Sequence, residues 1–191
     1  MRGNLHCNLN IMLTELLRSL FGFSDILFTG LKVIVPVVFL IYAFRFEQVA
    51  PIRHKAIIAL NLLLLGAGSL FTIAFVVDMI SCNPFERELR LEILSGSNWY
   101  RLTLPIIGFA ILPHLFWIRR LRRTMVSSML LVMYWYASFL IVEYSINGWQ
   151  FGFIKELKWM NVLRDTAITT AIWLLILRLI KSVTRPVAGS D

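Results

Sequence analysis

The sequence predicts an all-α, polytopic membrane bundle. It has about five transmembrane helices, with four as the alternative count, and an amphipathic interfacial helix at the N-terminal end. Three observations carry this. The 191 residues are 58% hydrophobic and only 16% charged, whereas soluble domains are about half apolar and about a quarter charged. Mean hydropathy is +0.74. The apolar residues also gather into long uncharged runs, close to the roughly 20 residues that cross a bilayer. This composition excludes intrinsic disorder and argues against an ordinary soluble enzyme. A net charge of +8 would raise nucleic acid as a partner in a soluble protein. In a membrane protein it marks cytoplasmic loops instead, so no nucleic-acid partner is expected.

Residues 1–25 form the first segment. Leu9, Met12, Leu13, Leu16, Leu17, Leu20 and Phe21 recur at spacings of three and four, with Asn10, Thr14, Arg18 and Ser19 opposite. That is an amphipathic helix, too polar on one side to cross, suited to the interface or to a partner subunit. No cleavable small-residue site follows it, so it does not read as a signal peptide. Residues 26–183 form the transmembrane domain, with spans expected at Ile26–Phe44, Ala56–Ile80, Leu102–Ile118, Met125–Ile146 and Thr166–Ile180. The fifth is short unless Asn161–Arg164 or Lys181–Val183 extend it. Residues 184–191 are a tail. The dense Arg119, Arg120, Arg122, Arg123 cluster lies between spans three and four. By the positive-inside rule it places the C-terminus in the cytoplasm, in what reads as a bacterial inner membrane. The same arginines are candidates for contact with anionic lipid or an acidic partner surface.

Polar groups at membrane depth each need a reason. Asn61, Gly68 and Thr72 share one face of the second span, as do Thr166, Thr169, Thr170 and Trp173 on the fifth. Both faces read foremost as packing seams. Pro36, Pro105 and Pro113 predict kinks that free backbone carbonyls. Lys32 lies inside the first span, where it either snorkels outward or pairs with Asp25 or Asp78. Asp78 ends the second span. Glu143 lies near the end of the fourth and shares a face with Tyr136 and Asn147. Glu143, Tyr136, Asp78 and Lys32 are therefore the candidates for a proton-carrying or polar network, the plainer reading being an ion pair that holds loops down.

The histidines test for redox cofactors. A haem in a bundle takes two axial histidines at matching depth. His54 and His114 lie at the same predicted membrane face, so a shared haem stays open. Arg53 and Lys55, however, make His54 look like a solvated edge. His114, beside Pro113 and Trp117, is the better candidate for a quinone head group. Cys7 and Cys82 allow at most one disulfide and have no metal-ligand spacing, so no metal is expected. The chain has no Walker loop, HExxH, nucleophile elbow or CxxC, and no residue is assigned as catalytic.

From Arg53 to Val183 the order of short motifs resembles a known family. Ile52-Arg-His-Lys opens one span, which ends at Cys82-Asn-Pro-Phe-Glu-Arg87. Trp99-Tyr100 precedes a span ending Leu112-Pro-His-Leu-Phe-Trp-Ile-Arg-Arg-Leu-Arg122, and the next ends Ile141-Val-Glu-Tyr. This resembles the C-terminal half of the NrfD/polysulfide-reductase membrane-subunit family, closest to the quinol-oxidising membrane subunits of alternative complex III. The likeness covers about two-thirds of the chain. It departs where His114 stands for the family's Gln and Tyr144 for an Arg, and the family's first helix bundle, to which its quinone site is mainly attributed, is missing. The resemblance implies that Glu143 matches the family's intramembrane Glu while the quinone pocket is not inherited. The expected role is an accessory, non-catalytic membrane subunit of a quinone-linked respiratory complex, packed against larger membrane subunits. A haem- or quinone-carrying anchor is the alternative. A small transporter or channel using Lys32, Asp78 and Glu143 comes third.

Overall fold

The computed structural model describes residues 2–43, 50–81, 84–97, 99–147 and 159–183. These are almost entirely helical, with no strand among them. In chain order the elements are α1 (Arg2–Ala43), α2 (Ala50–Ser81), α3 (Pro84–Ser95), α4 (Tyr100–Trp117), α5 (Arg119–Arg122), α6 (Met125–Asn147) and α7 (Trp159–Val183).

Among the described residues four stretches are long and apolar enough to cross a membrane: Met12–Ala43, Arg53–Ser81, Tyr100–Trp117 and Met125–Val142. The chain is thus an integral membrane helical bundle, and the four helices that qualify by length and composition belong to it. The fifth expected span lies within α7, which is extended at both ends to 25 residues. It packs along α1 and α2.

The expected boundary near residue 25 is not a helix end. The amphipathic stretch and the first span form one 42-residue helix, roughly 63 Å long at 1.5 Å per residue. The reason is local. No proline interrupts Phe23–Ile26, Ser24 Oγ bonds back to the Phe21 carbonyl at 2.9 Å instead of capping a new helix, and the stripe turns onto α2, with Leu17 buried and the Phe21 ring 5.7 Å from Phe71. Pro36 is carried within this helix. In α4 the two prolines do break regularity, as expected. An α-helical start (Tyr100–Pro105) passes into a π-helical segment (Ile106–Ile111) and then 3-10 turns (Leu112–Trp117). Pro113 has no N–H to return to the carbonyl four residues back. Irregular backbone persists at membrane depth only where neighbours satisfy it.

The core is a layer of rings contributed by four helices. Phe28 (α1) lies 4.7 Å from Phe109 (α4) and 5.1 Å from Trp135 (α6), edge-on to the latter, and Phe71 (α2) lies 5.7 Å from Phe109. Offset and edge-to-face pairs at such spacings add about 0.5–1.5 kcal/mol each beyond area burial. Around them Leu31, Val35, Leu60, Leu64 and Val132 are buried. Between spans, α3 leaves Leu89, Leu91 and Ile93 exposed beside Glu88 and Glu92. That mixture suits a helix lying in the headgroup layer.

Candidate functional site

The polar residues inside the bundle fall into two seams. The first joins α2 to α4, α5 and α6. Asn61 is fully buried. Its Nδ2 donates to the Arg122 carbonyl at 2.9 Å and the Thr124 carbonyl at 3.1 Å, and its Oδ1 accepts from Ser128 Oγ at 2.6 Å. One amide therefore clamps the α5–α6 turn. Seven residues on, Gly68 lets α4 approach: a Cβ there would stand 2.8 Å from Pro113 Cγ. Four further on, Thr72 Oγ1 donates to the Gly68 carbonyl of its own helix and to the Ala110 carbonyl of α4. On the other side of α4, Trp135 Nε1 donates to the Gly108 carbonyl at 2.7 Å and Tyr134 Oη to the Leu104 carbonyl at 3.2 Å. Side chains of α2 and α6 thus satisfy the irregular stretch of α4.

The second seam joins α7 to α1 and α2. A Cβ on Gly30 would meet the Thr169 side chain and stand 2.8 Å from the Asp165 carbonyl. Thr169 Oγ1 reaches the Asp165 carbonyl at 2.7 Å and the Ile26 carbonyl at 3.2 Å, and Trp173 Nε1 donates to the Ala56 carbonyl at 3.1 Å. These contacts run α7 parallel to α1. Asp165 is buried, and its carboxylate accepts from Arg164 Nε at 2.9 Å and faces Nη2 at 2.8 Å.

Of the network candidates, Tyr136 meets Lys32 and Asp78 stands apart from it. Lys32 is half-buried, with Nζ 5.6 Å from the centre of the Phe109 ring, a distance at which the ring face attracts a cation. The aromatic layer links Phe28 to Phe71, and Asp78 lies seven residues beyond Phe71 on α2. That is about 10 Å farther from Lys32, too far for the expected pairing. Asp25, exposed two turns earlier on α1, is the expected acid whose charge does reach Lys32. Tyr136 Oη donates to the Lys32 carbonyl at 3.2 Å from a half-exposed position. Glu143 lies in the last turns of α6, and its side chain, like those of His6 and Asn147, lies outside the described residues. So do the side chain of Cys7 and the whole of Cys82.

The histidine pair separates. Pro113 packs on Gly68, which puts His114 level with that part of α2, whereas His54 lies 14 residues earlier on the same helix. That is about 20 Å at 1.5 Å per residue, so the two cannot ligate one iron. The expectation that they share a membrane level missed the stagger of the bundle. The α5 turn closes at the height of Asn61, 11 residues inside α2, or about 16 Å from its first residue. Arg119, Arg120 and Arg123 are exposed on that turn and Arg122 is half-buried. Among the described residues no group of three His, Cys, Asp or Glu side chains is placed to hold a metal.

Sequence reasoning missed Gly30, Ser128 and the target of Trp135. A lone glycine inside an apolar span is a signal of close helix approach and could have found Gly30, between Thr29 and Leu31. Ser128 carries no signal distinct from any other serine. Compared with known proteins, the chain matches no family model, no curated protein and no solved structure.

Proposed function

We propose that the chain is an accessory, non-catalytic membrane subunit of a quinone-linked respiratory electron-transfer complex, seated in a bacterial inner membrane. The observation that supports it is how the interior polar groups are used. Asn61, Thr72, Tyr134, Trp135, Thr169 and Trp173 all donate to backbone carbonyls. All but Tyr134 and Trp135, which reach from α6 onto α4, tie helices distant in sequence, and such bonds hold membrane helices together. That is the chemistry of a scaffold. The outer face of α6, with Leu130, Met133, Tyr136, Phe139 and Leu140 exposed, offers a broad apolar and aromatic surface to a larger membrane subunit. The motif order resembling NrfD-type subunits supplies the class of complex.

The charge distribution supports the C-terminal end of α7 as cytoplasmic. Glu15, Asp25, Asp78, Glu88, Glu92 and Asp165 belong to the half of the bundle away from the arginine turn. Arg53, His54, Lys55, Arg178 and Lys181 lie with the turn in the other half, the basic side that stays in the cytoplasm.

The test is extraction of the tagged chain in mild detergent, followed by a mass-spectrometric list of everything that stays with it. Larger membrane subunits with an iron–sulfur or molybdopterin-type protein are the expected result. Recovery as a homo-oligomer without a redox subunit overturns the reading. A quinone-carrying anchor is the second reading, favoured by the half-buried His114 on the irregular part of α4. Quinone retained by the wild-type assembly and lost on His114→Ala would select it.

A further inference from the structure

Along the outer face of α7 runs a groove of about 510 Å³, lined by Ala171, Leu174, Leu175, Leu177, Arg178 and Lys181. We propose that it holds one anionic phospholipid, its phosphate between Arg178 and Lys181 and an acyl chain along the leucines. Three features of the helix point to that ligand. First, the two cations are three residues apart, so their Cβ atoms are neighbours about 5–6 Å apart on one face. A guanidinium gives a forked pair of donors and an ammonium a mobile third, which together match a phosphate. Second, the polarity is ordered along the axis. Ala171 to Lys181 spans about 15 Å of helix, basic at the terminal end and apolar below it. Leu174 and Leu175 are 51% and 59% exposed, and Ala171 leaves room where a larger residue would close the groove. A free phosphate has no use for the apolar part, and a zwitterionic lipid carries its own cation against the basic part. Third, the described surroundings are of one sign. Trp173 bonds to Ala56, which places the last turns of α7 at the first turns of α2. There Arg53, His54 and Lys55 add positive charge, and the described acids lie in the opposite half. Basic pockets on the cytoplasmic side of membrane helices are where anionic headgroups bind. The site requires only that the chain sits in a bilayer.

The experiment is native mass spectrometry of the full chain in detergent, titrated with dioleoyl-phosphatidylglycerol, dioleoyl-phosphatidylcholine or inorganic phosphate. The wild type is expected to retain phosphatidylglycerol with about tenfold preference over phosphatidylcholine. Arg178→Gln with Lys181→Gln should abolish that preference, and Arg119→Gln with Arg120→Gln should keep it. Leu175→Trp leaves both charges and fills the groove, and should also lose the lipid. This keeps the test decisive if the double variant does not fold. Equal retention of the two lipids, competition by inorganic phosphate alone, survival of the preference in Leu175→Trp, or its loss only on the α5 turn each overturns the proposal.

Discussion

The two seams of the bundle hold their helices by different means. Between α2 and the α4–α6 hairpin, polar side chains reach across. Asn61 and Thr72 sit 11 residues apart and donate to carbonyls of the partner segment, with Gly68 letting Pro113 in between. Between α1 and α7 the decisive feature is the absence of a side chain, because Gly30 admits Thr169 and the Asp165 backbone. In a bilayer, lipid competes for apolar contacts as well as any leucine does, so close packing and hydrogen bonds decide association. The first seam should therefore be sensitive to loss of a donor as well as to volume at Gly68, and the second most of all to volume at Gly30, where an added carbon would stand 2.8 Å from the backbone of α7.

Substitutions can break that distinction, and the largest effect should come from Gly30→Leu. Overpacking typically costs about 1–3 kcal/mol. Here the backbone of α7 is among the atoms met, so the upper part of that range is expected, read as a lowered unfolding midpoint in mixed micelles with α7 detached. Asn61→Leu should follow at about 2 kcal/mol. It leaves the Arg122 and Thr124 carbonyls and the Ser128 hydroxyl short of a partner, and protease cleavage at the arginine turn should rise. Thr72→Val keeps shape and removes one donor, so about 0.6 kcal/mol is expected. A loss as large as that of Asn61→Leu would mean the irregular part of α4 depends on this bond more than on Trp135. Gly66→Ala is the smallest and opposite in sign. Gly66 is exposed, with nothing within 4 Å of the added carbon, and relief of glycine entropy should stabilise by about 0.5 kcal/mol. If Gly66→Ala destabilises as much as Gly30→Leu, the steric account of the second seam fails.

Much of this architecture is legible in the residue order, for physical reasons that also mark where legibility stops. Spans show because apolar runs of fixed length are a demand of the bilayer, and α4 is irregular where Pro105 and Pro113 predict it. The Asn61–Gly68–Thr72 face reads as a seam because its members repeat at helical spacing on one side. Its receivers do not show, since backbone carbonyls carry no sequence signature and Ser128 looks like any serine. The continuity of α1 was hidden because amphipathicity changes near residue 25 across Gly22, Ser24 and Asp25, residue types that mark helix boundaries elsewhere. The separation of His54 from His114 was hidden because depth depends on how far the α5 turn slides along α2, a tertiary quantity. Asp165 offered only its charge. Its burial beside Gly30 follows from the crossing of two helices more than 130 residues apart in the chain, while its ion-pair partner Arg164 is its own neighbour in sequence.

The central claim is that the polar residues of this bundle build a subunit rather than perform a reaction. Its most direct test is quinol turnover per assembled complex, measured with Lys32→Met, His114→Leu and Glu143→Gln combined in this chain. The account predicts turnover within about twofold of wild type once the full subunit set is present. A loss of about tenfold or more, roughly 1.4 kcal/mol of barrier, with every subunit in place would contradict it.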